Sequence, residues 1–231
     1  MRRGGAVQCT LGFDLYDTLF DTKGLARALQ PVCAERGLQT DEVIRMWRDK
    51  QLEYSFRRGL MQRFKDFSVC TRDALQYCDA YFKLHLSAQQ QAMLLAALEQ
   101  LPPFADVEDA LTRLSETHRI FAVSNACVDS IESLLTNAKL RHLFAGVVSV
   151  TETKTFKPDP AVYTHFLRQT QSDPEKTWLV SAHAFDIIGA DSVGMRTAWV
   201  KRSTAHHFDP WGVHPELTVT ELSQLVPRLR A

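Results

Sequence analysis

Gly12-Phe13-Asp14-Leu15-Tyr16-Asp17-Thr18-Leu19-Phe20-Asp21 is the stretch that decides the fold. It continues the short apolar run 9–13 and leaves a carboxylate, Asp14, where that run ends. A run this short and this apolar reads as a strand buried on both faces, as in a parallel sheet. A carboxylate bared at the tip of such a strand is costly to desolvate, so it points to a chemical task. Two positions on stands Tyr16, an aromatic residue with no carboxylate to offer.

Four further apolar runs read as strands: 120–123, 147–150, 178–180 and 197–200. Helical patterns at 107–116, 128–137, 160–170 and 185–193 lie between them. Strand alternating with helix predicts an α/β fold with a parallel sheet flanked by helices. Residues 21–100 break the rhythm, reading as helix after helix with Trp47, Tyr54, Phe56, Phe64, Phe67 and Tyr77 among the packing residues. An all-helical subdomain inserted after the first strand is the simplest account, and Pro102-Pro103 ends it because consecutive prolines cannot continue a helix. The expected division is a core of 1–20 and 101–231 and an insertion of 21–100.

Composition narrows the function. Lys plus Arg equals Asp plus Glu at 27 each, so nothing draws the chain as a whole to nucleic acid or to an anionic membrane. No apolar run of about 18 residues is present to span a bilayer. The basic residues 1–5 are followed by a run broken by Gln8, Asp14 and Asp17, a poor signal-peptide core. The five cysteines are scattered, with no CxxC pair, which suits free thiols in a reducing compartment and argues against a zinc site. Cytoplasmic location is the expectation.

Ligands of open parallel sheets bind beyond the carboxyl ends of the strands. Asp14 follows the first strand and Ser124-Asn125 the second; Lys157-Pro158-Asp159-Pro160 comes after the third, and Ser181-Ala182-His183-Ala184-Phe185-Asp186 after the fourth. Two carboxylates, a lysine and a hydroxyl–amide pair thus converge on one edge. Ser124-Asn125 could equally cap a helix, and Asp159 before Pro160 reads as an ordinary helix start. In the insertion, Ile44, Arg48, Leu52 and Phe56 fall on one helical ridge. An arginine there either snorkels with its stem buried or aims a weakly hydrated guanidinium at an anion in the cleft.

These residues, in this order, resemble the haloacid dehalogenase superfamily and within it the L-2-haloacid dehalogenase branch, over residues 13 to about 202. The motifs that carry it are Phe13-Asp14-Leu15-Tyr16-x-Thr18-Leu19-Phe20-Asp21, Ser124-Asn125, Lys157-Pro158-Asp159 with Tyr163, and Ser181 to Asp186. Trp47-Arg48, Gln51-Leu52-Glu53-Tyr54 and Leu60-Met61 look like that branch's helical cap. The resemblance implies a Rossmann-like core with the active site beneath the cap, and a homodimer. It implies Asp14 as the nucleophile that displaces halide from a small carboxylate substrate and inverts the carbon. Ser124 and the amides near Leu15 and Tyr16 would hold the substrate carboxylate, while Arg48 and Asn125 cradle the departing halide. Lys157 would keep Asp14 ionised, with Tyr163 supporting it. Asp186, with Thr18 and Ser181, would activate the water that cleaves the ester. Tyr16, Leu52, Phe67 and Phe185 would wall the pocket.

The superfamily's phosphatases bind magnesium through carboxylates at two positions that are Tyr16 and Ala182 here. No metal and no cofactor is therefore expected. Three departures from the branch stand out: Asp17 for a glycine, His183 for an asparagine and Phe185 for a tryptophan. His183 could shrink the pocket towards haloacetates or give a proton to a poor leaving group such as fluoride. Asp17 could favour a substrate that carries an ammonium group. The expected function is metal-independent hydrolysis of small 2-substituted carboxylic acids. The alternatives are ring-opening hydrolysis of a small cyclic imino acid, a magnesium-dependent phosphatase, and a binding protein that has lost its catalysis.

Overall fold

The computed structural model describes residues 9–229, so the basic residues 1–5 lie outside the described residues. The first apolar run becomes β1 (Thr10–Phe13), every residue of it buried. Four helices follow: α1 (Ala26–Ala34), α2 (Thr40–Leu60), α3 (Phe67–Phe82) and α4 (Ala88–Ala97). In α2, Asp41 and Glu42 in the first turn and Arg57 and Arg58 in the last complement the helix dipole. Its buried side includes Val43, Ile44, Trp47 and Gln51 and packs on α3, where the Trp47 indole N–H donates to the Thr71 carbonyl at 2.9 Å. The Ser87 hydroxyl and the Gln90 side chain form a reciprocal cap that opens α4.

The chain leaves and re-enters the sheet region side by side. Asp21 N–H donates to the Pro102 carbonyl and Phe104 N–H to the Leu19 carbonyl, both at 2.9 Å. Beyond the two prolines come α5 (Val107–Ser115), β2 (Arg119–Ser124), α6 (Val128–Asn137) and β3 (Gly146–Ser149). They are followed by α7 (Pro160–Thr170), β4 (Thr177–Ser181), α8 (Ala184–Asp191), β5 (Arg196–Val200), β6 (Leu217–Val219) and α9 (Leu225–Arg228). The five strands read from apolar runs form within one residue of the expected ends. β6 escapes such a reading because it is three residues long and alternates half-buried Leu217, exposed Thr218 and buried Val219.

All six strands are parallel, in the order β3-β2-β1-β4-β5-β6. The winding direction reverses at β1, so the binding crevice of such a sheet opens at the carboxyl end of β1, where Asp14 stands. Asp159 does cap α7, accepting from Ala161 N–H at 2.9 Å, with Pro160 in the first turn. All five cysteines are free. Among the described residues no helix is long and apolar enough to cross a membrane.

Candidate active site

A buried ammonium organises the crevice. Lys157 Nζ donates to Asp14 Oδ1 at 2.9 Å, to Asp186 Oδ2 at 2.8 Å and to the Val123 carbonyl at 3.0 Å, which engages all three of its protons. Its side chain is 2% exposed. The second oxygen of each carboxylate has its own donor: Thr18 Oγ1 to Asp14 at 2.8 Å, and the Tyr163 hydroxyl to Asp186 at 2.7 Å. His183 Nε2 lies 3.8 Å from Asp14 Oδ2 and 3.1 Å from the Tyr16 carbonyl oxygen. Groups from the tips of four strands thus meet around one nitrogen, with Lys157 143 positions from Asp14 in the sequence.

Burial would raise the pKa of Asp14, but the Lys157 charge, then the His183 charge and the hydrogen bonds from Lys157 and Thr18, bring it below the usual carboxylate range. Burial would lower Lys157, and the two carboxylates outweigh that and raise it. The Tyr163 phenol is pushed well above its ordinary value by burial and then by Asp186, so it stays a donor. Asp14, depressed in the fold, contributes stability above the unfolded carboxylate pKa of about 4 and loses it as pH falls further. Lys157, raised in the fold, contributes fully below about 10.4 and loses that contribution as pH rises past it. Melting temperature plotted against pH is therefore expected to show a plateau that falls off at both ends. Replacing Asp14 by Asn should flatten the acid limb.

The loop after β1 is held from several sides. The Leu15 carbonyl accepts from the N–H groups of Thr18, Leu19 and Phe20 at 3.3, 2.8 and 2.9 Å. Thr18 Oγ1 accepts from Ala182 N–H at 2.8 Å, tying the tip of β1 to the tip of β4. Ser181 Oγ accepts from His183 N–H at 3.2 Å, and Asn125 Oδ1 accepts from Lys157 N–H at 3.0 Å. Ser124 Oγ accepts from Ala126 N–H at 3.2 Å, but neither Ser124 nor Asn125 caps α6, whose N-cap is Cys127. Arg202 is a member that the strand-end reading missed. Its Nε and Nη2 donate to the Thr18 carbonyl at 3.0 and 2.8 Å, and Nη1 donates to both Asp106 carboxylate oxygens at 2.8 Å. The available signal was a cation two residues past β5.

Two expected placements, those of Tyr163 and Asp17, are corrected. Tyr163 is fully buried and bonds to Asp186 rather than Lys157, so it supports the lysine only through that carboxylate and does not face a substrate. Leu52 is half-buried on α2, one helical turn beyond Arg48. Asp17 is not an open carboxylate awaiting an ammonium group, because it accepts from Thr22 Oγ1 and pairs with Arg48 Nη2 at 3.4 Å. Its backbone φ of 60° explains why a glycine would suit the position; Asp tolerates that conformation better than most residues.

Arg48 is 8% exposed, so it does not snorkel to solvent. It also donates to Gln51 Oε1, and its guanidinium carbon lies 5.1 Å from the Tyr16 ring centroid. Phe67 is buried with its ring 6.0 Å from that of Phe156, and Phe185 stacks on His183 at 5.2 Å and meets the edge of Phe56 at 5.2 Å. A cavity of about 340 Å³ touches Tyr16, Gln51, Phe67, Ala126 and Cys127; another of about 440 Å³ touches Asp17, Arg48, His183 and Arg202. Asp14, 6% exposed, borders neither, so the crevice is closed over it.

Tyr163 is itself wedged by Gly189 of α8, where an added Cβ would sit 2.5 Å from the ring. Gly189→Ala is expected to push Tyr163 off Asp186, lowering stability by about 1–3 kcal/mol. Thermal melting measures that loss, and kcat should fall with it.

Magnesium prefers a near-octahedral shell of oxygens. Here Tyr16 and Ala182 supply no carboxylate, and both aspartates already share Lys157. Among the described residues no group of three or more His, Cys, Asp or Glu side chains is disposed to hold a metal. The residues present do not fit a magnesium site.

An order-reversing parallel sheet with an ammonium-bridged aspartate at the reversal defines an α/β protein that works from its strand tips. The family model described as "Haloacid dehalogenase-like hydrolase" matches residues 12–200, and the chain belongs to that family. It is 33% identical over 214 residues, 92% of each chain, to the (S)-2-haloacid dehalogenase of Pseudomonas fluorescens. It is 35% identical over 190 residues, 82% of this chain and 74% of the relative, to the (S)-2-haloacid dehalogenase of Xanthobacter autotrophicus. The structure of the L-2-haloacid dehalogenase from Xanthobacter autotrophicus with chloropropionic acid covalently bound superposes with a TM-score of 0.90, at 28% identity, over 96% of this chain and 98% of that one.

Proposed function

We propose that the protein hydrolyses small (S)-2-haloacids through an ester formed on Asp14, without a metal. The observation that carries this is the Lys157 ammonium, which holds Asp14 ionised at the tip of β1. A carboxylate oxygen of Asp14 attacks the carbon bearing the halogen and inverts it, while the carbon–halogen bond breaks and the halogen leaves with the bonding electron pair as halide. Water then adds to the carbonyl carbon of the ester. The ester carbonyl–oxygen bond breaks, the 2-hydroxyacid departs with the oxygen that Asp14 first supplied, the oxygen of the water remains in the Asp14 carboxylate, and a proton is released. The relatives with covalently bound chloropropionic acid and the (S)-2-haloacid dehalogenase names support this chemistry.

The remaining residues follow the same reading. The main-chain N–H groups of Leu15 and Tyr16, with Ser124, would hold the substrate carboxylate; among the described residues those two amides donate to no main-chain carbonyl. Arg48 and Asn125 would receive the halide, and Asp186, Thr18 and Ser181 would position the hydrolytic water. Tyr16, Phe67, His183 and Phe185 shape the pocket. Residues 21–100 act as a cap that excludes water during attack, on a cytoplasmic homodimer.

The test is a substrate panel in chelator: chloroacetate, fluoroacetate, both 2-chloropropionates and azetidine-2-carboxylate, with halide or ring-opened product as readout. Halide release from (S)-2-chloropropionate is the expected result. Turnover restricted to phosphate esters and dependent on added magnesium would overturn the proposal.

A further inference from the structure

Asp17 carries no role in the scheme above, yet it makes the only ionic contact to the Arg48 guanidinium among the described residues. Its placement is specific. The chain turns through φ 60° at Asp17, and the Thr22 hydroxyl donates to one carboxylate oxygen while Arg48 Nη2 meets the other at 3.4 Å. Arg48 is fixed from its far side as well: Nη1 donates to Gln51, whose amide donates to Thr71 on α3. One guanidinium nitrogen is left without a partner. Arg48 Nε is buried and has no acceptor, a costly state that an incoming anion would relieve. The pair is better shielded on the arginine side, at 10% side-chain exposure, than on the aspartate side, at 31%. The open side faces the cavity of about 440 Å³ that also touches His183 and Arg202.

We propose that Asp17 is a positioning residue that keeps Arg48 neutralised, so that the site holds halide and small carboxylates loosely and lets them go. The proposal rests on the haloacid-hydrolase reading for the identity of the anion, though its electrostatics do not. An anion that enters this cavity and pairs with the Arg48 guanidinium meets a cation whose charge is already answered, and it lies near a second negative charge. Removing the carboxylate leaves Arg48 with a full unbalanced charge in a poorly solvated place, where an anion binds tighter. A partly exposed ion pair supports a change of about fivefold. The same pair joins the loop after β1 to α2, so it resists separation of α2 from the sheet until an anion competes for the arginine.

The experiment titrates bromide and chloride calorimetrically into the full-length wild type, Asp17→Asn, Asp17→Gly and the double variant Asp17→Asn/Arg48→Gln. Asparagine and glycine both accept positive φ, and asparagine can keep the Thr22 bond, so these variants are expected to fold. Bromide should bind about fivefold tighter to each single variant, product inhibition by bromide should tighten by the same factor, and the double variant should lose the gain. Affinity within twofold of wild type in both folded single variants overturns the proposal, as does a gain that survives in the double variant. If haloacids are turned over but halide affinity does not change, Asp17 is not a counter-charge and the hydrolase reading stands. If no haloacid is turned over but Asp17→Asn still tightens bromide binding, the counter-charge stands and the hydrolase reading falls.

Discussion

Lys157→Met is expected to cost about 3–5 kcal/mol of stability and to abolish turnover, the cost typical of removing one partner of a buried charge network. Methionine keeps much of the side-chain volume, so the loss is electrostatic. Asp14 and Asp186, 6% and 0% exposed, would lose the ammonium that bridges them, leaving His183, 3.8 Å from Asp14, as the nearest cationic group and Asp186 with none. The Val123 carbonyl would lose a donor as well. At least one carboxylate must then take up a proton, and its pKa should rise instead of falling. Urea denaturation at neutral pH measures the loss, and repeating it near pH 4 tests the cause. The deficit should shrink in acid, where the carboxylates no longer need a counter-ion. A loss below about 1 kcal/mol would mean that the ammonium is not what permits these groups to be buried.

Asp14→Asn is expected to lower kcat by about 10⁴-fold or more while the fold survives, since removing a nucleophile typically has effects of this order. A carboxamide still offers an oxygen to Lys157, so the network loses one charge but keeps its shape. It is not a competent nucleophile towards carbon. Halide release from (S)-2-chloropropionate, followed in a variant whose melting curve stays cooperative, checks this. Residual activity within tenfold of wild type would remove Asp14 from the chemistry.

Much of this arrangement was readable from the chain alone. Five strands announced themselves as apolar runs because a parallel sheet buries both faces of each strand, leaving no alternation to blur them. Asp14, Lys157 and Asp186 could be named because the crevice of such a sheet lies at the strand tips, so whatever follows each run is a candidate. Ile44 and Arg48 likewise fall on the buried side of α2, as their spacing requires. Other features depend on contacts that no local pattern encodes. Arg202 acts on a carbonyl 184 positions away, and the Tyr163 hydroxyl reaches Asp186 with its ring packed against Gly189, where a Cβ would collide with it. Asp17 looked like an open charge because the partner that answers it, Arg48, lies 31 positions on, in a helical segment whose docking on the sheet the sequence does not specify.

The most direct test is a single turnover in heavy-oxygen water, with enzyme in excess over (S)-2-chloropropionate, followed by mass spectrometry of the peptide that contains Asp14. The expected result is one heavy oxygen in the Asp14 side chain, because water adds to the ester carbonyl carbon and leaves its oxygen on the enzyme. Label found only in the lactate hydroxyl, with the Asp14 peptide unchanged, would mean that water attacks the substrate directly and that no ester on Asp14 ever forms.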